Sequence, residues 1–411
     1  MAPSGSVLRL LARKFVLSKS SDGFVSLIAW VSVVGVALGV LALTVVTSVI
    51  NGFEGELRRV ITGMNGDVVL YSRGEPFSDL VRVEKKIRQL VPEAVAVSPS
   101  LIAELMAAGP QGVAGVVLEG LDWERSAQVT EVTRRVVAGQ LPRPGASILE
   151  VALGEALANR LAVAAGDTIR LVIPFSEGDL DAGVSSKVVP VKVAGLIKMG
   201  MFEYDSKFVF AALSDVQGVI GAMDQASSMK LKLREGADSR MASDRLSESF
   251  GYPFRAKDWG QLNRNLFYAI QLEKAVIALI LTAIVIVAAF NVLSTLMMLM
   301  HDKSREVAIL KAMGFSSTQA FRLFVWIGGV IGLIGALVGA GLGLFANQAL
   351  AKSHLIQLPA DIYYIGFLPV LTRWTEVGVI VLGACVICLL ATLYPAIRVA
   401  RRSPLEGIVD V

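Results

Sequence analysis

Gly23–Phe53 reads GFVSLIAWVSVVGVALGVLALTVVTSVINGF, a run without a single Asp, Glu, Lys or Arg. Ala275–Met300, Leu323–Ala351 and Val377–Ile397 share that property. A helix needs about 20 predominantly apolar residues to cross a hydrocarbon core of roughly 30 Å, and each run is long enough. The residues between the first run and the second, roughly 54–268, carry the charge of ordinary soluble protein. The layout is one span, a large insert and three more spans.

The mean hydropathy of +0.62 hides two populations. Asn51–Arg264 holds 25 Lys and Arg against 27 Asp and Glu, a net −2, which leaves +6 for the remainder. The sequence pI near 9.0 is therefore a property of the membrane part and does not point to nucleic acid. Lys and Arg close to span ends orient a membrane protein with its positive loops inside. Arg9, Arg13, Lys14 and Lys19 precede the first span, and Lys303, Arg305, Lys311 and Arg322 lie between the second and third. Arg398, Arg401 and Arg402 follow the fourth, whereas the loop between the third and fourth has only Lys352 and Arg373. Both termini are thus expected inside and the insert outside. The first span is too long for a signal h-region and no small-x-small site follows it, so it reads as a retained helix. Ser6–Ser18 (SVLRLLARKFVLS) is basic and amphipathic, as suits an inner-leaflet interfacial helix.

Cys385 and Cys388, the only cysteines, form a C-x-x-C inside the fourth span. Their neighbours Val386, Ile387, Leu389 and Leu390 supply neither the charge nor the access of a redox or metal site. They read as small buried hydrophobes. The insert, free of cysteine, must be held by its own core, which some 210 residues supply.

Within the insert, Asp67–Tyr71, Ile102–Ala107, Val113–Leu118, Thr168–Ile173, Val188–Ile197 and Lys207–Ala211 have the β-branched character of strands. Val151–Leu161, Ser214–Ala222 and Ser239–Phe250 have helical spacing. The mixture predicts an α/β domain of two subdomains, the second (about 112–200) inserted into the first. Pro174–Lys187 (PFSEGDLDAGVSSK) is a polar, acidic connection between two strands. An ordinary hairpin loop accounts for it, but its length exceeds the usual two to five residues and suits recognition. No G-x-S-x-G, no H-E-x-x-H, and no histidine or cysteine occurs in the insert. His301 and His354 lie outside it, without a partner constellation. The carboxylate pairs Asp179/Asp181 and Glu203/Asp205 read as solvated surface groups. The insert is expected to bind or couple, not to catalyse.

The third span carries Gly328, Gly332, Gly335, Gly339 and Gly343 on one face, and the first carries Gly35 and Gly39. Small residues let helix backbones approach closely in lipid. No ionisable residue lies inside a charge-free run, so an ion pathway through the spans lacks its usual signature. His301–Phe315 (HDKSREVAILKAMGF) reads as a short inner helix capped by Asp302 or Ser304. Glu306 falls in its first turn, Lys311 near its last, and Gly314 at its stop. Val307, Leu310, Met313 and, one step round, Ile309 form its apolar face. A helix this short needs a docking surface, either its own spans or a groove on a cytoplasmic partner.

Local motifs extend along nearly the whole chain. They are Trp30–Glu54 (WVSVVGVALGVLALTVVTSVINGFE), Leu153–Ala158 (LGEALA), Ala289–Leu296 (AFNVLSTL), Glu306–Gly314 (EVAILKAMG), Asp361–Pro369 (DIYYIGFLP) and Leu393–Pro404 (LYPAIRVARRSP). With the one-plus-three layout, they resemble the mechanotransmission ABC permeases, the class that includes MacB and FtsX. Within it, the chain is most similar to the lipoprotein-releasing permeases LolC and LolE. The inner-helix motif alone identifies only the wider class; NGFE and DIY narrow it.

The resemblance implies a bacterial inner-membrane, multi-pass permease with four transmembrane α-helices (1+3) and a large periplasmic α/β domain between helices 1 and 2. The expected division is 1–22 cytoplasmic amphipathic segment, 23–53 helix 1, 54–268 periplasmic domain, and 269–300 helix 2. It continues with 301–322 cytoplasmic coupling loop, 323–351 helix 3, 352–374 periplasmic loop, 375–397 helix 4, and 398–411 cytoplasmic tail. Such permeases work in pairs, with a second copy or a paralogue, on two copies of a cytoplasmic ATPase. They take triacylated lipoproteins from the membrane lipids and pass them to a periplasmic carrier. The chain has no Gly-Lys dipeptide, hence no G-x-x-x-x-G-K-[ST] phosphate cradle. ATP and Mg belong to the partner, and no cofactor is expected here.

The residues implied for ATPase coupling are Glu306, Val307, Ile309, Leu310 and Met313. Those implied for the acyl-chain cavity are Ala42, Leu43, Val46, Val49, Ile50, Phe267 and Ile270. The carrier-binding loop would comprise Pro174, Phe175, Ser176, Glu177, Asp179 and Asp181. A MacB-type subunit for efflux or export, or an FtsX-like regulator of a periplasmic cell-wall hydrolase, would share the gross layout.

Overall fold

A computed structural model of the chain describes residues 23–175, 185–353 and 368–401, and side chains over 30–173, 186–352 and 368–401. Ser6–Ser18, His354, residues 176–184, the DIYYIGF segment and the tail beyond Arg401 lie outside the described residues. The described part divides into two compact units, which part between Glu54 and Gly55 and again between Tyr268 and Ala269.

The membrane unit contains the four expected apolar helices. The first helix runs Gly23–Asn65, the second Arg264–Asp302, the third Ser317–Ser353 and the fourth Trp374–Arg401, with the inner helix Ser304–Ala312 between the second and third. Val36, Val40, Val292, Leu296, Phe324, Ile331 and Cys388 meet in its core. The third helix is the hub, and its glycine stripe serves two neighbours instead of one. A Cβ on Gly332 would stand 2.6 Å from Cβ of Cys388, and one on Gly328 would overlap Thr392, both on the fourth helix. A Cβ on Gly335 would lie 2.9 Å from Cβ of Val36, and one on Gly343 2.9 Å from Cβ of Thr44, both on the first. Gly39 of the first helix faces Val285 of the second in turn. In lipid, where burial adds no driving force between helices, this close approach is what dispersion needs. A buried hydroxyl pair, Ser32–Thr295 at 2.7 Å, also joins the first helix to the second.

The first helix does not end with its charge-free run. Leu57, Val60, Ile61 and Met64 repeat at helical spacing and are buried in the insert domain. The helix ends at Gly66, whose φ of 73° only glycine adopts freely, and a Cβ there would stand 2.6 Å from the Leu231 carbonyl oxygen.

Over the described residues the insert domain is built on a ten-stranded sheet. Its strands are β1 (Val68–Ser72), β2 (Ala94–Gly109), β3 (Gly112–Leu121), β4 (Val136–Gly139), β5 (Glu150–Gly154), β6 (Thr168–Phe175), β7 (Ser185–Ile197), β8 (Phe208–Ala212), β9 (Ser228–Leu233) and β10 (Phe254–Asp258). The order is β10-β1-β9-β2-β3-β8-β5-β7-β4, with β6 pairing β2 and β7. β3–β8 and β5–β7 are parallel; the other pairs are antiparallel. β2 is the spine: Ala94–Ser100 pairs with β9 and Ser100–Gly109 with β3. One core gathers Val68, Leu70, Phe77, Ile87, Leu231 and Leu246 beside β9. A second gathers Leu105, Leu118, Leu153, Leu157, Leu171 and Val209. Helix Ser239–Phe250 starts where Asp238 accepts from the Arg240 and Met241 amides at 2.9 and 3.1 Å.

The helix expected over Val151–Leu161 is corrected. Its first residues form β5, and only Glu155–Leu161 is helical. Val151, Ala152 and Leu153 are wholly buried between β7 and β8, so tertiary burial overrides the helical spacing.

Candidate functional site

The inner helix makes two kinds of surface. Lys303 stands at its N-cap without a side-chain capping bond, so neither Asp302 nor Ser304 has the expected capping role. Glu306 pairs with Lys303 at 2.6 Å. The helix stops at Gly314, with φ 101°, where the Phe315 amide donates to the Leu310 carbonyl at 2.9 Å. Lys311 Nζ donates to the Val399 and Ala400 carbonyls at 3.0 and 3.1 Å. A cation there answers the negative end of the fourth helix and ties the inner helix to it.

Of the five residues expected to meet a partner, Val307 is corrected. It is buried with Ala308 in the core shared with Leu299, Phe324 and Val399, and so anchors the helix on its own bundle. Ile309 and Met313 are 47% and 79% exposed, Glu306 is exposed and Leu310 is half-buried. One side docks inward and the other is free for contact.

Ala42, Leu43, Val46, Val49 and Ile50 are all half-buried on the first helix, which also carries the buried hydroxyls Thr44 and Ser48. The second helix over the matching turns is far more open: Leu272, Val276, Leu279, Ile280 and Ile284 are exposed. Phe267 and Ile270 are not part of an open wall. Both are 9% exposed, and Phe267 sets its ring edge against Trp259 of the insert domain, centroids 4.9 Å apart.

The NGFE segment, read from the sequence only as a resemblance, proves to be a fastening. Asn51 donates through Nδ2 to Glu376 at the start of the fourth helix and accepts from Lys274 Nζ at 2.9 Å. Lys274 also pairs with Glu54. A Cβ on Gly52 would overlap the Pro369 carbonyl, and the Leu371 amide donates to the Ser48 carbonyl at 2.9 Å. Asn347 of the third helix donates to Ser48 and Thr372 at 2.8 and 3.1 Å. All four spanning helices are thus joined by polar contacts at one end of the charge-free runs. Most are part-buried, and the lower dielectric there strengthens them relative to water. Asn51 and its two side-chain partners are 325 and 223 residues apart in sequence, beyond any local signal.

In the insert domain, β6 and β7 pair from Thr168↔Lys192 out to Phe175↔Ser185. β6 touches β2 only over Arg170–Val172, so Ile173, Pro174 and Phe175 continue as a two-stranded arm. Pro174 and Phe175 lie on that arm. Ser176, Glu177, Asp179 and Asp181 fall outside the described residues.

The carboxylates Glu203 and Asp205 differ from the solvated pair expected. Glu203 is exposed beside Lys207 at 4.0 Å. Asp205 is buried, 7% exposed, and accepts from the Met199 and Gly200 amides at 2.7 and 3.0 Å. Burial raises its pKa against the lowering effect of those two bonds. It caps a turn. Among the described residues no group of three or more His, Cys, Asp or Glu could hold a metal ion.

Comparison with known proteins places this geometry. The FtsX-like permease C-terminal profile matches residues 278–404 and the MacB-like periplasmic core domain matches 29–249. The lipoprotein-releasing system transmembrane protein LolC of Xylella fastidiosa is 27% identical over 96% of this chain and 97% of its own. LolC of Neisseria meningitidis is 27% identical over the same shares. LolE of Haemophilus influenzae is 26% identical, again over 96% and 97%. The insert is accordingly a periplasmic domain between the first helix and the other three. Because the periplasmic core match alone spans more than half of its length, the chain belongs to the family of permeases built on a MacB-like periplasmic core domain.

Proposed function

We propose that this chain is the permease subunit of a lipoprotein-releasing ABC complex in a bacterial inner membrane. The observation that carries the reading is similarity to LolC and LolE over 96% of this chain and 97% of those proteins, with spans and periplasmic domain in one alignment. Both termini lie in the cytoplasm, in keeping with the Lys and Arg near the cytoplasmic span ends. A separate ATPase supplies the energy, in keeping with the absence of a G-x-x-x-x-G-K-[ST] phosphate cradle from this sequence, and two copies of it act on a pair of permeases.

The ATPase takes hold of Glu306, Ile309, Leu310 and Met313. Val307, Ala308 and Lys311 pass its movement to the bundle. Two continuous helices, Gly23–Asn65 and Arg264–Asp302, carry it on to the periplasmic side. The acyl chains of a triacylated lipoprotein occupy the membrane between Ala42–Ile50 of the first helix and the exposed apolar flank of the second. That reading is supported by the half-burial of the one and the openness of the other. The β6–β7 arm presents the 176–184 connection to the periplasmic carrier.

Copurification with the ATPase tests the reading. Bound triacylated lipoprotein, identified by mass spectrometry of its acylated N-terminal peptide, is expected. Recovery of a periplasmic cell-wall hydrolase, or of a soluble export substrate, with no lipoprotein would overturn it in favour of an FtsX-like or MacB-type role.

A further inference from the structure

We propose that Lys230 is a positioning residue, which fastens the last turn of the first helix to the sheet of the periplasmic domain so that movement of that helix moves the sheet. Lys230 on β9 and Glu119 on β3 form an ion pair at 2.6 Å with side chains 2% and 0% exposed. Lys230 Nζ also donates to the Met64 carbonyl at 2.9 Å. The carbonyls of a helix's last turn have no partner within the helix. A buried ion pair is weak evidence for stability, because desolvation of both charges offsets their attraction, and an apolar pair of similar volume serves a sheet as well. An apolar side chain could not hold a carbonyl. Glu119 aims the ammonium, and the ammonium holds the helix.

Other contacts close on the same turn. Asn65 Nδ2 donates to Tyr204 Oη at 2.9 Å, and the Glu131 amide donates to the Gly63 carbonyl at 2.6 Å. Burial pushes the Tyr204 phenol up to about 12, so it stays a neutral acceptor at physiological pH. Met64 itself is buried with Leu121, Ile197 and Phe210. The turn is held by the sheet around it, and Lys230 is its one charged fastener among the described residues.

This inference rests on the reading of the chain as a permease worked by a separate ATPase, and the test lets the two fail separately. The full chain with its ATPase in lipid nanodiscs is compared with the double variant E119M/K230M, which removes the pair without leaving a lone buried charge. The expected result is a thermal transition within a few degrees of wild type and an unchanged ATP hydrolysis rate. Amide hydrogen exchange across Ile61–Asn65 should be about tenfold faster, the equivalent of about 1.4 kcal/mol. Lipoprotein released per ATP should fall several-fold. Unchanged exchange in that turn would overturn the proposal, as would faster exchange with release per ATP intact. The charge-swapped E119K/K230E keeps a pair in the sheet while taking the ammonium from its place at Met64, and the same pattern is expected of it. If neither variant folds, the pair is structural and the proposal falls. Wild type that hydrolyses ATP but releases no lipoprotein would refute the permease reading, while the exchange result would still judge the fastening.

Discussion

Replacing Gly339 by Leu should separate the first and third helices, and the size of the effect follows from the geometry. A Cβ at Gly339 would overlap the Ala37 carbonyl oxygen and stand 2.9 Å from both Ala37 Cα and Val40 Cβ. Carbon atoms at optimal separation are about 3.5–4.0 Å apart, so the backbones must part by roughly 1 Å before the rest of the Leu side chain is placed. The obstacle is main chain, which no rotamer change relieves. Overpacking of this kind costs about 1–3 kcal/mol. In a unit of this size about 2 kcal/mol lowers the melting temperature by roughly 4–8 °C. Gly341 supplies the control on the same helix: a Cβ there meets nothing within 4 Å. Gly341→Leu should therefore shift thermal unfolding in detergent by no more than about 2 °C, since exposed substitutions usually stay within about 0.5 kcal/mol. Equal shifts for the two variants would refute the claim that the glycine stripe exists for close packing against the first helix.

Three further outcomes are expected. Glu306→Lys reverses an exposed charge beside Ile309 without touching the buried Val307, so it should uncouple ATP hydrolysis from release while leaving membrane insertion intact; unchanged release per ATP would show that this face is not the lever. Lys274→Met should destabilise the membrane unit by about 1–2 kcal/mol, the value of charge-assisted bonds discounted for partial exposure, and a double-mutant cycle with Glu54→Gln should show a favourable coupling, its absence marking the pair as incidental. Asp205, with its pKa raised from the ordinary 3.8 by burial, binds its proton more tightly folded than unfolded. Its favourable contribution is complete below 3.8 and is lost as pH rises through the raised value. Asp205→Asn should flatten stability against pH across that window, and denaturant titrations with parallel pH profiles would contradict the assignment.

Charge-free runs made the spans legible because lipid tolerates so little else, and Gly314 marked the stop of the inner helix for a similarly local reason. What the sequence concealed was set by distant partners. The charge-free run stops at Phe53, although Leu57, Val60, Ile61 and Met64 carry the period of a buried face; the charges among them, Glu56, Arg58 and Arg59, mask it. Strands β9 and β10 lack the apolar pattern of a strand in the sequence because Lys230, Lys232, Arg255 and Lys257 interrupt them. Lys230 is buried only because Glu119 and the Met64 carbonyl wait for it, and neither is near in sequence. The inner helix presents the same limit in miniature. Val307 and Ile309 look alike as letters, yet the bundle takes one and leaves the other. Asn51, Glu54 and Lys274 resemble ordinary residues at span ends until the fold joins them to Glu376.

ATP-driven transfer in a defined system tests the central claim most directly. The chain and its ATPase are reconstituted into proteoliposomes with a triacylated lipoprotein, and the periplasmic carrier is added outside. ATP should move lipoprotein from the bilayer into a soluble complex with the carrier, and Glu306→Lys should abolish transfer while hydrolysis continues. Lipoprotein that stays in the bilayer while the wild-type complex hydrolyses ATP would contradict the account.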